Sequence, residues 1–424
     1  MIVSIISFII LLFTGLPLYV NLGFCSAIYV LISGFNPITV IQRITMAANS
    51  FTMLAAPFFI IMGNVMNTSG VTKRLFNFAN VLAGHSPGGL GHANVLASTM
   101  FAGMSGTAVA DAGGLGIIEI KAMRDAGYDD DFSCAITVAS SVIGPIIPPS
   151  LPMVILAVAV EASIGRLFLG GIIPGILMAA SLMIMVAIYS HKRNYPRGAK
   201  RTLKILWNAF KEAFWALMAP IILFFGIFSG IFTPTEAAVV AAFYSLILGL
   251  FVYKEFSLKD IPKVILATCE TIGVVLALVM TANIFGWALS VSQVPQTITQ
   301  LLLSIAHTKV LVLIIVNLFL IAVGMFMEGT AAILILAPIL VPIMTSIGID
   351  QTQACLIIIL NLMIGVITPP VGVVLYVVAN VAKVSFERVT KATIPFLIPL
   401  LIVLIMVTFI PWVTTFVPNL IFGR

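Results

Sequence analysis

The chain has 424 residues, of which 61% are hydrophobic and 8% charged, with a formal net charge of +6. Soluble domains carry about 25% charged residues, and an aqueous fold of this composition would expose large apolar patches, so a soluble protein is excluded. In a bilayer the same length suits roughly ten to twelve spans of ~20 residues.

Met1 to Gln42 contains no charged residue, and Arg43 is the first. A secretory signal needs a basic start and a short apolar core. Met1–Gly34 lacks that start and is too long, so it is expected to remain as membrane structure. It reads either as one long tilted helix or as two short ones, which leaves eleven and twelve spans both open. Pro37–Met53 is modestly amphipathic, as is Leu258–Ile272 later in the chain. Each reads either as a helix on the membrane surface or as a loop running into a helix.

Between Asn94 and Met123, apolar arms flank the run Gly103-Met104-Ser105-Gly106-Thr107-Ala108-Val109-Ala110-Asp111-Ala112-Gly113-Gly114-Leu115-Gly116. Such small residues permit a tight turn and close backbone approach. They predict a re-entrant hairpin over about 94–123, although plain helix packing uses the same residues. Ala135–Val160 is long enough to span, yet Pro145, Pro148 and Pro149 sit in its middle. Proline removes a backbone donor and clashes with the preceding turn, so a helix over about 135–160 must break there. In hydrocarbon, freed carbonyls need partners, and such a break survives only within protein or beside a wet cavity.

Lys192, Arg193, Arg197, Lys200, Arg201, Lys204 and Lys211 then supply seven of the 21 basic residues, with no acid until Glu212. A short basic loop between spans stays on the cytoplasmic side, a reading that takes precedence over nucleic-acid or specific lipid binding by this loop. The stretch 213–253 is long enough to cross twice, turning near Thr233-Pro234-Thr235-Glu236, where Glu236 reads as structural. A second hairpin is predicted over about 311–344, around Gly324-Met325-Phe326-Met327-Glu328-Gly329-Thr330-Ala331. A second broken helix is predicted over about 354–380, interrupted at Gly365, Pro369 and Pro370.

These elements repeat. Ile143-Gly144-Pro145-Ile146-Ile147-Pro148-Pro149 recurs 221 positions later as Ile364-Gly365-Val366-Ile367-Thr368-Pro369-Pro370, and Ile173-Pro174 recurs as Ile394-Pro395 at the same offset. Gly106-Thr107-Ala108 matches Gly329-Thr330-Ala331, and Gly63 matches Gly286, both at 223. Ordered matches at nearly one offset predict two halves, 1–205 and 206–424. Lys73, Arg74, Lys121, Arg124, Lys254, Lys259, Lys263, Lys383, Arg388 and Lys391 also read as inside, while the second-half counterparts of the 73–74 and 192–204 loops carry almost no charge, with only Arg424 at the second. Equivalent loops on opposite faces are the signature of inverted-topology repeats. The predicted fold class is therefore an all-α polytopic membrane protein of two inverted repeats.

A broken helix offers two ends. Its first half ends in carbonyls that suit a bare cation, and its second half begins with N–H groups that suit a carboxylate. One Na⁺ site is predicted from Ser105, Gly106 and Thr107 with the break residues Gly144, Ile147 and Pro149, and another from Gly329 and Thr330 with Gly365, Thr368 and Pro370. Their hydroxyl and carbonyl oxygens are hard ligands for a hard cation. Intramembrane acids are costly and point to function. Asp111 and Glu328, inside the hairpins, either touch substrate, carry a proton or tie the turns together. Substrate contact is expected at Ser105, Asp111, Pro149 and Ser150. The four cysteines are isolated and without a C-x-x-C pair, and the histidines lack metal-ligand spacing. No Walker phosphate loop is present, and Gly103-Met104-Ser105-Gly106 is not a nucleophile elbow, so neither ATP use nor enzyme activity is expected.

The run Gly103–Gly116, the break Ile147-Pro148-Pro149-Ser150 and the turn Phe232-Thr233-Pro234-Thr235-Glu236-Ala237-Ala238 resemble the large membrane subunit of tripartite ATP-independent periplasmic (TRAP) transporters, and the resemblance covers essentially the whole chain. It implies an elevator-type transporter in the bacterial inner membrane, driven by a Na⁺ gradient and importing small organic acids such as C4-dicarboxylates or sialic acids. A periplasmic substrate-binding protein would deliver the solute. A small four-helix membrane subunit would brace the large one, expected here as a separate chain. A stand-alone divalent-anion/Na⁺ symporter is the alternative, separated by whether uptake needs an added periplasmic protein. A non-transporting scaffold is the remaining one, and it would not need paired helix breaks.

Overall fold

A computed structural model of the protein describes residues 2–12, 14–198, 202–305 and 308–423, and these are almost wholly helical. Of the basic residues invoked above, Lys200, Arg201 and Arg424 lie outside the described residues. The sole extended pairing among the described residues is an isolated bridge between Pro87 and Arg197.

The first 34 residues make two helices, α1 (Ile2–Leu12) and α2 (Leu18–Ile32). Gly15 has a left-handed φ of 76° and Pro17 precedes α2, so one helix cannot run through. α3 (Ile38–Ala48) is a separate short helix that exposes Ile38, Ile41 and Met46. α4 (Ala55–Thr68) and α5 (Val71–Ala83) follow, then α6 (Gly89–Ser105). Beyond a turn come α7 (Ala108–Ala110), a π-helical turn over Asp111–Leu115 and α8 (Gly116–Asp125). The chain folds back at this turn, because Asn94 on α6 donates to Glu119 on α8 at 2.6 Å.

α9 (Asp130–Ser141) and α10 (Leu151–Ala159) are separated by a non-helical segment that holds Pro145, Pro148 and Pro149. α11 (Ile164–Arg193) crosses in 30 residues. α12 (Leu203–Phe228) and α13 (Pro234–Ile247) are joined by the Thr-Pro-Thr-Glu turn. There Thr233 and Glu236 form a reciprocal capping box that satisfies the first free N–H groups of α13, which gives Glu236 a structural task. α14 (Ile261–Val291) is one continuous helix of 31 residues, so Leu258–Ile272 is a loop entering a span. α15 (Val294–Ile305) leads to α16 (Lys309–Gly324) and α17 (Gly329–Ser346). These two also fold back on each other, since Lys309 Nζ donates to the Gly348 carbonyl at 3.0 Å. α18 (Gln351–Gly365) and α19 (Val373–Ala382) flank the second proline break, and α20 (Phe386–Phe409) and α21 (Trp412–Phe422) close the chain.

Among the described residues, seven helical segments are long and apolar enough to cross a membrane: 51–68, 164–193, 203–228, 234–252, 261–291, 329–346 and 386–409. The broken helices lie inside. α18 is buried from Thr352 to Gly365 and α9 from Phe132 to Ser141. α12 and α14 instead expose apolar side chains such as Trp207, Phe225, Leu266 and Val274. A hydrocarbon solvent allows that arrangement, because the outside gains nothing from being polar. Where the chain leaves the membrane, Arg193 donates to Asp129 at 2.9 Å and the Tyr195 hydroxyl donates to the same carboxylate at 2.8 Å. Burial, with the Asp129 carboxylate beside it, pushes the Tyr195 hydroxyl well above the usual phenol range.

Candidate functional site

The first turn is held by a left-handed residue. Gly106 caps α6 with φ 61°, and a Cβ there would lie 2.9 Å from the Pro149 carbonyl oxygen and 3.2 Å from the Leu151 nitrogen. The hairpin tip thus rests directly on the first proline break. Thr107 then caps α7, its hydroxyl accepting from the Ala110 N–H at 3.2 Å, and its carbonyl faces Gly144, 3.5 Å from where a Cβ would stand. The backbone of Met104 and Ser105 packs on Gly63 of α4. At the break itself, Ser150 donates to the Pro145 carbonyl at 2.5 Å and accepts from the Met153 N–H. Ile147 turns its side chain onto Gly175 of α11, which leaves only its backbone for any ligand. The Ser105 hydroxyl oxygen is buried with no hydrogen-bond partner. An orphaned buried hydroxyl oxygen of this kind fits a hard, weakly charged cation such as Na⁺.

The second turn meets the second break in a similar way. Gly324 and Gly365 touch backbone to backbone, since a Cβ on Gly365 would lie 2.5 Å from the Gly324 Cα. The Gly372 N–H donates to the Met325 carbonyl at 3.3 Å, which ties the far side of the break to the same turn. Thr368 donates its hydroxyl proton to the Ile364 carbonyl at 2.7 Å, so its lone pairs are free to accept a cation. Glu328 caps α17 by accepting from the Ala331 N–H at 3.0 Å. Gly329 packs on Met363, and Thr330 is half-buried beside it, while Pro370 is exposed at the end of the break.

Between the two turns lies a cavity of about 50 Å³. Thr107, Pro145, Pro152, Glu328, Thr330 and Val373 are among the residues lining it. Residues from the first turns of α10, α17 and α19 line it, with their leading N–H groups largely bonded already, Met153 to Ser150, Ala331 to Glu328 and Val374 to the Val366 carbonyl. As it stands, the cavity is too small for an organic acid. Ser105, Asp111, Pro149 and Ser150, the residues expected to contact substrate, are not among its lining residues.

Asp111 lies instead in the π-helical turn, 1% exposed, and neither of its carboxylate oxygens has a hydrogen-bond partner. Behind it runs a buried polar chain that sequence reasoning missed. Ser98 donates to Ser140, Ser140 to the Asn94 side-chain oxygen Oδ1, and the Asn94 side-chain Nδ2 to Glu119 and Thr137, at 2.6 to 3.2 Å. Its sequence signal was available. Asn94 and Ser98 are four apart on one helix, and Thr137 and Ser140 three apart on another, so each pair shares a face.

Comparison with known proteins agrees over nearly the whole length. The profile of the family described as "Tripartite ATP-independent periplasmic transporter, DctM component" matches residues 5–413. The chain is 43% identical over 424 residues to the sialic acid TRAP transporter large permease protein SiaM of Vibrio cholerae, covering 100% of this chain and 99% of that one. It is 35% identical over 426 residues to the C4-dicarboxylate TRAP transporter large permease protein DctM of Rhodobacter capsulatus, covering 97% of each. Among solved structures, the YdaH transporter of Alcanivorax borkumensis matches with a TM-score of 0.66 at 16% identity, covering 88% of this chain and 87% of that one, a likeness of fold.

Proposed function

The chain belongs to the DctM component family of tripartite ATP-independent periplasmic transporters, and from that premise we propose that it imports a small carboxylated solute by Na⁺-coupled secondary transport. It is a multi-pass protein of the inner membrane. The observation that carries the reading is a cavity between two turn-and-break pairs, lined by residues from the first turns of three helices. Backbone N–H ends bind a carboxylate without a buried basic side chain. Oxygen ligands on either side would hold the coupling cations: Ser105, Gly106, Thr107, Gly144, Ile147 and Pro149 in the first half, and Gly329, Thr330, Gly365, Thr368 and Pro370 in the second.

In this reading the two halves are inverted repeats over 1–205 and 206–424. The turns and broken helices move together against a scaffold, as in an elevator. A periplasmic binding protein hands over the solute, and a small membrane subunit braces the scaffold. The relatives named for sialic acid and for C4-dicarboxylates share a carboxylate, which supports that class of cargo here. The test is uptake into liposomes holding this chain and a cognate small subunit, with and without Na⁺, against a panel of periplasmic binding proteins. Solute accumulation should require both Na⁺ and one binding protein. Accumulation with no binding protein would favour the stand-alone symporter, and Na⁺-independent uptake would remove the cation sites.

A further inference from the structure

A second cavity, of about 290 Å³, opens where the ends of α9, α11 and α20 meet. These ends carry the basic segments that read as cytoplasmic. Arg193, Arg388 and Lys391 line it, together with the single carboxylate of Asp131 and the rings of Tyr189 and Phe396. Arg193 is held by Asp129 and Arg388 pairs with Asp131, whereas Lys391 forms no ion pair among the described residues. The rings of Tyr189 and Phe396, 5.3 Å apart, make an aromatic floor joining α11 to α20.

The surface beyond the cavity decides what fits it. On the membrane side, α11 exposes Ile184 and Ile188, and α20 exposes Ile394 and Ile398. Each pair is four residues apart, so it forms a stripe along one helix face. Along the chain, both pairs lie on the membrane side of the basic cavity-lining residues of α11 and α20. A cationic pocket at headgroup level that continues into an exposed apolar strip matches a phospholipid, with its phosphate among the basic side chains and an acyl chain along the isoleucines. Asp129 and Asp131 already neutralise Arg193 and Arg388, so the unpaired ammonium of Lys391 is what selects a negatively charged headgroup. We propose that this cavity is a binding site for an anionic phospholipid of the cytoplasmic leaflet, seated between α11 and α20. It is separate from the solute cavity and does not depend on how that cavity is read.

The test is thermal unfolding of the purified protein in a neutral detergent, titrated with phosphatidylglycerol, phosphatidylcholine or inorganic phosphate. Phosphatidylglycerol should raise the Tm saturably, and phosphatidylcholine and inorganic phosphate should not. A basic side chain near a charged membrane surface contributes about 1 kcal/mol, so Lys391→Gln should weaken the apparent lipid affinity about fivefold, with a larger loss for Lys391→Glu. Lys259→Gln, which alters a basic loop elsewhere on the same side, should leave the affinity unchanged. Equal losses in Lys391→Gln and Lys259→Gln would mean diffuse surface attraction and overturn the site. So would a shift from phosphatidylcholine equal to that from phosphatidylglycerol. Inorganic phosphate reproducing the shift would mean a free-anion pocket, which also overturns the lipid assignment.

Discussion

Gly106 carries more of the first turn than any titratable residue near it. Its left-handed φ of 61° disfavours a side chain, and a Cβ would press within 2.9 Å of the Pro149 carbonyl. The conformational part alone costs about 1–2 kcal/mol. Gly106→Ala should therefore lower the Tm and abolish uptake together. Gly113→Ala is the matched control, because a Cβ there meets only a Val377 methyl at 3.6 Å, an ordinary contact. It should leave both measurements near the parent values, and equal damage from the two changes would remove the special role given to the turn. At the second site, Thr330→Val and Thr368→Val keep side-chain shape but remove a lone-pair donor. Each should raise the Na⁺ concentration for half-maximal uptake by about tenfold or more, taking on the order of 1.5 kcal/mol for one lost ligand. Unchanged Na⁺ activation in both variants would sink the second cation site. Thr368→Val also removes the hydroxyl that bonds the Ile364 carbonyl, so its Tm needs measuring beside its Na⁺ response.

The helices show why the breaks are tolerated. α18 ends where Gly324 and Gly365 meet without side chains, and that close approach lets α16 lie against the broken end. Gly365→Ala would push a methyl to 2.5 Å from the Gly324 Cα, where the neighbour is backbone and cannot swing aside. Overpacking of this kind costs about 1–3 kcal/mol. The expected result is a lower Tm and a smaller monodisperse fraction after extraction, and a Tm at or above the parent value would contradict the packing account. The break between α9 and α10 is managed differently. Ser150 serves the Pro145 carbonyl and the Met153 N–H at once, so the freed backbone groups find partners in the chain. Capping also explains the turn between α12 and α13, where Thr233, Pro234 and Glu236 supply a complete start signal in four residues.

For the molecule as a whole, the proposed elevator motion makes a geometric demand. The second turn must slide past α14 if it belongs to a moving unit. Gly286 on α14 and Pro338 on α17 approach closely, with 3.5 Å between the Pro338 Cβ and an ideal Cβ on Gly286. That spacing suits a disulfide. In a background lacking Cys25, Cys134, Cys269 and Cys355, oxidation of Gly286→Cys/Pro338→Cys should stop uptake, and reduction should restore it. Full uptake by the oxidised, cross-linked protein would show that α17 does not move relative to α14. The cavity between the turns, at about 50 Å³, adds to the case that solute entry requires such a rearrangement.

Much of this was legible before any coordinates. Composition alone specified lipid as the solvent, because no aqueous fold hides so much apolar surface. The prolines at 145, 148 and 149 and the glycine-rich run near 106 marked interruptions, since φ limits and missing donors act within a few residues. Other features depended on residues distant in sequence. Local periodicity could not say that Gly106 rests on Pro149, that Gly324 touches Gly365, or that the first turns of α10, α17 and α19 line one cavity. Nor could it place Asp111, for which substrate contact, proton carriage and a structural tie all stood open, and which is not among the residues lining that cavity. The sequence by itself determined where the helices break, because backbone sterics are local. Only the tertiary structure decided which break meets which turn, because that choice rests on packing between segments tens to hundreds of residues apart.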